Sequence, residues 1–216
     1  MAALPLQAVR HAPFAPRKAA RAELPQLADL LTDAFMDDPV LQWTLREGRA
    51  YPGALRRYFE FALLEQCVPS DLMFVSGDDM RATAIWLPPS DLGVLATPPR
   101  EMLRLIPKFL PILGISRLHR AMSLAMAMDA HHPHEPHWYL YFLGVPPSSQ
   151  GQGLGSAMMD ATMPMVDAQR LPAYLDNSNA RNIPLYERYG FRVISEYRAR
   201  DDAPPIWGMW RDARLV

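Results

Sequence analysis

The spacing of apolar residues divides the chain into a mainly helical first half and a second half in which strands and helices alternate. From Glu23 onward, Leu27, Leu30, Leu31, Ala34 and Phe35 recur at helical spacing and form one apolar face. Pro25 suits the first turn of that helix. Asp38 precedes Pro39 and is pushed out of helical geometry, so the helix ends there. Leu55, Tyr58, Phe59, Ala62 and Leu63 predict a second helix over 52–66. Two β-leaning runs flank Gly77-Asp78-Asp79 and predict a hairpin. Residues 98–130 read as helix in two pieces, the first kinked or split at Pro107 and Pro111. The second piece carries Leu118, Met122, Ala125 and Met126 on one side, and its methionines suit adaptable core or pocket wall.

The run 137–145 is β-rich and apolar on both faces apart from His137, which suits a central strand. A Gly-rich stretch and a helix over about 151–169 follow, then a short strand at 172–176. A polar loop, a short helix stopped at Gly190, and the closing strands in RVISEYRAR and IWGMWR complete the pattern. The order predicts an α/β (α+β layered) domain on a mixed central sheet. Residues 1–12 read as a flexible tail ahead of a first strand near 13–17, and residues 13–216 as a single domain.

Composition narrows the classes. Half of the 216 residues are hydrophobic, enough for one sizeable core. Lys+Arg at 22 against Asp+Glu at 23 gives a net charge of −1, which provides no whole-chain footprint for nucleic acid. No apolar run reaches the length of a membrane span, and the start lacks the apolar core of a secretory signal. The single cysteine, Cys67, leaves no internal disulfide, which fits a reducing, cytoplasmic setting. The cluster His131, His132, His134 and His137 lacks the Cys or Asp spacing that completes a four-ligand set, so no metal is expected.

The chemistry concentrates in LGVPPSSQGQGLGS, 143–156, where Gly144, Gly151, Gly153 and Gly155 fall between a strand and a helix. A dinucleotide fingerprint needs G-x-G-x-x-G, and Ser156 stands where the third glycine belongs. A nucleotide-triphosphate loop needs Gly-Lys, which the stretch lacks. A pyrophosphate cradled by backbone N–H groups at a helix N-terminus fits the run from Gln150 to Gly155, which has no acidic residue nearby.

Gln150-Gly-Gln-Gly153-Leu-Gly155, with the β-rich run before it and YERYGF after it, resembles the Gln/Arg-x-x-Gly-x-Gly/Ala signature of the GNAT superfamily of N-acetyltransferases. Within it, HEPHWYL, SSQGQGLGSA, RNIPLYERYGF and PIWGMWR are similar to the puromycin N-acetyltransferase branch. The close resemblance covers about 133–211, and the first half agrees in pattern. The resemblance implies a GNAT fold: a mixed sheet with a splay after the fourth strand and helices on both faces. It implies acetyl-CoA as co-substrate and direct transfer of the acetyl group to a primary amine of a small molecule, with no metal.

By the same resemblance Leu143, Gly144 and Val145 hold the pantetheine arm and the thioester carbonyl, with Gly144 placed for a bulge. Gln150, Gly151, Gln152, Gly153, Leu154, Gly155 and Ser156 hold the pyrophosphate, and Asn182 matches an asparagine that reaches the cofactor. Tyr186 matches the acid that protonates the departing thiolate, and it also contacts the cofactor. For the base, Asp176 ranks first and Glu135 second, whereas His137 reads as a hydrogen-bonding residue. Asp37-Asp38 could attract a cationic amine, but a solvated helix-end turn is preferred. Phe35, Tyr139, Tyr141, Met122 and Met126 would wall the acceptor pocket. Two other readings stay open, a non-catalytic acetyl-CoA sensor or scaffold and an enzyme acting on protein N-termini or lysines, as does a homodimer.

Overall fold

The structure is a computed structural model that describes residues 16–90 and 99–214. The tail assigned to 1–12 and the beginning of the first strand at 13–15 lie outside these residues. Seven strands form one sheet: β1 (Arg17–Lys18), β2 (Met73–Val75), β3 (Thr83–Leu87), β4 (Trp138–Gly144), β5 (Ala173–Asn177), β6 (Arg192–Tyr197) and β7 (Ile206–Arg211). Their spatial order is β1-β2-β3-β4-β5-β7-β6. Every neighbouring pair is antiparallel except β4 and β5, so the sheet is mixed and β4 is central, as its two-sided apolar sequence predicts.

Helices cover both faces. On one face α1 (Leu24–Ala34) and α3 (Tyr51–Ala62) bury Leu27, Leu31, Leu55 and Phe59 against Val75, Ile85 and Phe142. On the other, α5 (Leu154–Ala168) buries Met159, Met163 and Val166 against Trp86, Trp138, Leu140 and Met209. α5 is anchored at its far end by Arg211 of β7, whose guanidinium meets both oxygens of Asp167 at 2.6 and 3.1 Å. α2 (Pro39–Thr44) is capped by Asp38, which accepts the Leu41 N–H at 2.8 Å. α6 (Ile183–Arg188) stops at Gly190, φ 86°, where Phe191 N–H reaches back to the Tyr186 carbonyl.

Two expectations from sequence are corrected in α4 (Pro99–His131). Its break lies at Gly114 (φ 64°, ψ 171°), while Pro107 and Pro111 sit inside the first helical piece. Glycine adopts that backbone without a Cβ penalty, and so it takes the break. In the second piece Leu124, Ala127 and Met128 turn inward against Val40, Tyr197 and Ile206. Met122 and Met126 are 43% and 67% exposed and turn away from that packing. Apolar residues surround this helix, so its pattern does not by itself select the face that packing against α2 and the closing strands selects.

Glycine also decides how the last strands stack. A Cβ on Gly208 of β7 would fall 2.6 Å from the Tyr174 hydroxyl and collide with Ser195 Oγ. Gly208→Ala is therefore expected to lower stability by about 1–3 kcal/mol through overpacking. Urea denaturation with an unchanged slope would check it.

Candidate active site

The site begins where β4 and β5 part. Their parallel pairing covers Trp138 opposite Ala173 and Tyr139 opposite Tyr174 and goes no further. Two residues past Tyr174 on β5 stands Asp176. Its carboxylate accepts the hydroxyls of Tyr174 at 2.7 Å and Tyr197 at 2.8 Å on one oxygen, and Tyr139 at 3.0 Å on the other. The Tyr139 bond spans β4 and β5 at the point where their backbones separate.

A bulge on the other edge of β4 helps the parting. Ile85 pairs with Phe142 and Trp86 with Leu140, so Tyr141 is the extra residue. Trp138 and Leu140 face α5, but beyond the bulge Phe142 joins the α1–α3 core. The bulge was expected at Gly144, and this is corrected: Gly144 pairs regularly with Thr83. Its missing side chain serves packing instead, because a Cβ there would lie 3.1 Å from Leu31 and 3.4 Å from Ala34 of α1. The Tyr141 hydroxyl donates to Gln66, which lies in a π-helical turn, Leu63–Cys67, continuing α3.

The glycine loop closes one side. After Pro147–Ser149 the chain turns through Gly151 (φ 74°) and Gly153 (φ 76°), and α5 starts at Leu154. Both angles favour glycine, and a Cβ at either would meet nothing within 4 Å, so the loop backbone lies open. The N–H groups of the first turn of α5 have no helical partner, and the helix dipole adds positive potential. Gln150 fastens the loop by donating to the Val145 carbonyl at 3.0 Å. Arg81 holds Gln152 at 3.2 Å. Together with Arg181 and Arg188 at the rim, this cradle fits the phosphates of a coenzyme.

A cleft of about 520 Å³ runs from this loop to the end of α1. Leu143, Val145, Gln150, Gly151, Gly153, Leu154, Gly155, Ser156, Asn182 and Tyr186, all singled out from sequence, line it. Gly144, Gln152, Asp176 and Glu135 do not. Gly144 lies under α1, and Gln152 faces Arg81. Asp176 has three of its acceptor positions filled by tyrosines. Glu135 is exposed before β4, and its carbonyl partners His137 Nδ1 at 2.6 Å. His137 is buried against Tyr174 and Trp210. Tyr139 and Tyr141 spend their hydroxyls on Asp176 and Gln66, so of the expected acceptor wall Phe35 lines the cleft.

Two cleft groups can move protons. Tyr186 is 8% exposed and lines the cleft, and its hydroxyl has no hydrogen-bond partner among the described residues. Burial raises its pKa above the usual phenol value, so it stays protonated. Across the sheet, Ser178 follows β5 and donates its hydroxyl to Asp38, and both line the cleft. Burial holds the Asp38 carboxyl above the usual carboxylate value, although bonds from Ser178 and the first amides of α2 pull it down. The preference for Asp38 as a solvated turn is thus corrected. The Asp-Pro pair marked a helix end in sequence, but no local signal announced the cap of α2 or placed Ser178 beside it, 140 residues away.

A profile of the Acetyltransferase (GNAT) family matches residues 114–191. An uncharacterised N-acetyltransferase of Schizosaccharomyces pombe is 26% identical over 193 residues, covering 81% of this chain and 73% of that protein. A mycothiol acetyltransferase of Acidothermus cellulolyticus is 45% identical over 64 residues, 28% of this chain, which thereby spans 20% of that relative. Among solved structures, a Corynebacterium glutamicum protein described as histone acetyltransferase HPA2 and related acetyltransferase is similar with a TM-score of 0.70 and 25% identity. That likeness covers 93% of this chain and 97% of the other.

Gly153→Ala would place a side chain at φ 76° in the loop. The strain is about 1–2 kcal/mol. Calorimetry is expected to show acetyl-CoA binding weakened about 5- to 30-fold, the equivalent of that strain.

Proposed function

Taking this chain as a GNAT-superfamily acetyltransferase, we propose that it moves an acetyl group from acetyl-CoA directly to a primary amine of a small molecule. One observation carries the proposal: a buried phenol without a hydrogen-bond partner among the described residues lines the same cleft as an open glycine loop at a helix N-terminus. The cradle would hold the pyrophosphate through the loop from Gln150 to Ser156, with Asn182 and the rim arginines beside it. Bound there, acetyl-CoA supplies an activated acetyl thioester. Leu143 and Val145, at the open edge of β4, would align the pantetheine arm and polarise the carbonyl with backbone N–H groups.

Tyr186 is the proposed acid, giving its proton to the sulfur that leaves. No covalent enzyme intermediate is needed. Cys67 is buried outside the cleft lining, and desolvation pushes its thiol up to about 12, so it holds its proton. At the acceptor end Phe35 offers an apolar contact, and Asp33, Asp37 and Asp38 favour a cation, which suits an ammonium. The segments similar to the puromycin N-acetyltransferase branch support kinship with it. They surround the cradle and β4 rather than the acceptor end, so they do not choose the amine.

A panel of small primary amines with thiol release as readout tests the reading, and release above the no-amine rate is expected for some members. Tyr186→Phe is expected to lower kcat about 10²-fold or more, with acetyl-CoA affinity by calorimetry near that of the parent protein. Acetyl-CoA binding without thiol release across the panel would favour a non-catalytic sensor.

A further inference from the structure

An alkylammonium must lose a proton before its nitrogen can attack, and the carboxylates favoured from sequence are poorly placed to take it. Asp176 is committed to three tyrosine hydroxyls, and Glu135 is exposed outside the cleft lining. Asp38 differs from both. It sits at the end of the α1–α2 connection, with one carboxylate oxygen on the Leu41 N–H and the other on the Ser178 hydroxyl. Ser178 stands at the open end of β5, where the parting of β4 and β5 admits a ligand. Tyr186 enters from α6, which packs on the opposite face of the sheet from α1. The two proton-handling groups therefore meet one cleft from opposite faces.

We propose that Asp38, working through the hydroxyl of Ser178, is the base that deprotonates the acceptor ammonium; this rests on the transferase reading above. The ammonium N–H donates to Ser178 Oγ. As that N–H bond breaks and its proton joins Oγ, the original Ser178 proton passes to the Asp38 carboxylate. The amine is left neutral, Ser178 unchanged and Asp38 a carboxylic acid. The neutral nitrogen attacks the acetyl carbon. Its second proton makes good the one that Tyr186 gives to the departing sulfur. Asp38 returns its proton to solvent at the end of the cycle, so the whole reaction releases one proton.

The surroundings support the assignment. The titratable groups that feel Asp38 are Tyr51 and Tyr58 from α3, and Asp33, Asp37 and Arg181 line the same cleft. Burial favours proton uptake by Asp38, and the bonds from Ser178 and the first amides of α2 oppose it. Since its pKa is raised in the folded state, its contribution to stability is greatest below the ordinary carboxylate value. That contribution is lost as pH rises through the raised one.

Asparagine caps a helix as well as aspartate does, so Asp38→Asn removes the charge and keeps the cap. At pH 7 this variant is expected to unfold no earlier than the parent protein and to bind acetyl-CoA within about twofold of it, as a difference under about 0.4 kcal/mol would allow. Its kcat/KM for the amine should fall about 10²-fold or more. The deficit should narrow as pH approaches the amine's own pKa of about 10, where solution supplies free amine. Ser178→Ala should show the same narrowing with a smaller loss, and Asp38→Glu should restore part of the rate. Unchanged kcat/KM in Asp38→Asn, or a loss that tracks weakened folding and acetyl-CoA binding, overturns the assignment. Absence of thiol release by the parent protein with every amine overturns the transferase reading itself, a distinct result.

Discussion

Strands β4 and β5 share two paired rows and then separate, and the Asp176 carboxylate, two residues past the last pair, bonds tyrosines of both strands. A parallel pair that simply stopped would leave strand edges free to close or slip. Here β4, β5 and β6 each send one tyrosine hydroxyl to the same carboxylate, so the separation has a fixed width. A buried carboxylate is costly unless its oxygens are hydrogen-bonded, and three phenols meet that need. The charge ranked first as a base in the sequence thus ties together three strands beside the cleft. Gly208 belongs to the same device, since its lack of a side chain lets the Tyr174 hydroxyl lie over β7 and reach Asp176.

Much of the cleft follows from that opening. The bulge at Tyr141 inverts the alternation of β4, so Phe142 enters the α1–α3 core while Leu143 faces the α5 side. Gly144 lets α1 come down onto the strand end, which brings Phe35, Asp37 and Asp38 beside Leu143 and Val145. From the other direction the glycine loop starts α5 with its unpaired N–H groups facing the same space. The cradle, the phenol and the carboxylate–hydroxyl pair come from different faces of the sheet and converge because the two strands are apart.

The two buried carboxylates have different stability consequences. Asp176 receives three phenol donors, which offset only part of its desolvation, so burial still holds its carboxyl above the usual carboxylate value. Asp38 takes its bonds from Ser178 and the first amides of α2 and lines a cleft that also holds Asp33 and Asp37. Its charge is costly because it is desolvated, a pattern typical of sites tuned for proton transfer.

The periodicity of α1 and α3, the hairpin of β2 and β3, the two-sided β4 and the Gly stop of α6 were legible because each depends on neighbours within a few turns. The glycine turn before α5 was legible for the same reason, since glycine suits the angles at Gly151 and Gly153. Three features needed the tertiary structure. The inward face of α4 was set by packing, because apolar residues lie all round that helix. The extra residue of β4 was Tyr141 rather than Gly144, because a bulge is defined by the register of the neighbouring strand. The partners of Asp38 and Asp176 were fixed by contacts spanning up to 140 positions of sequence. Hydrogen bonding of a carboxylate decides whether it serves as a pin or a proton acceptor, and that bonding exists once the chain has folded.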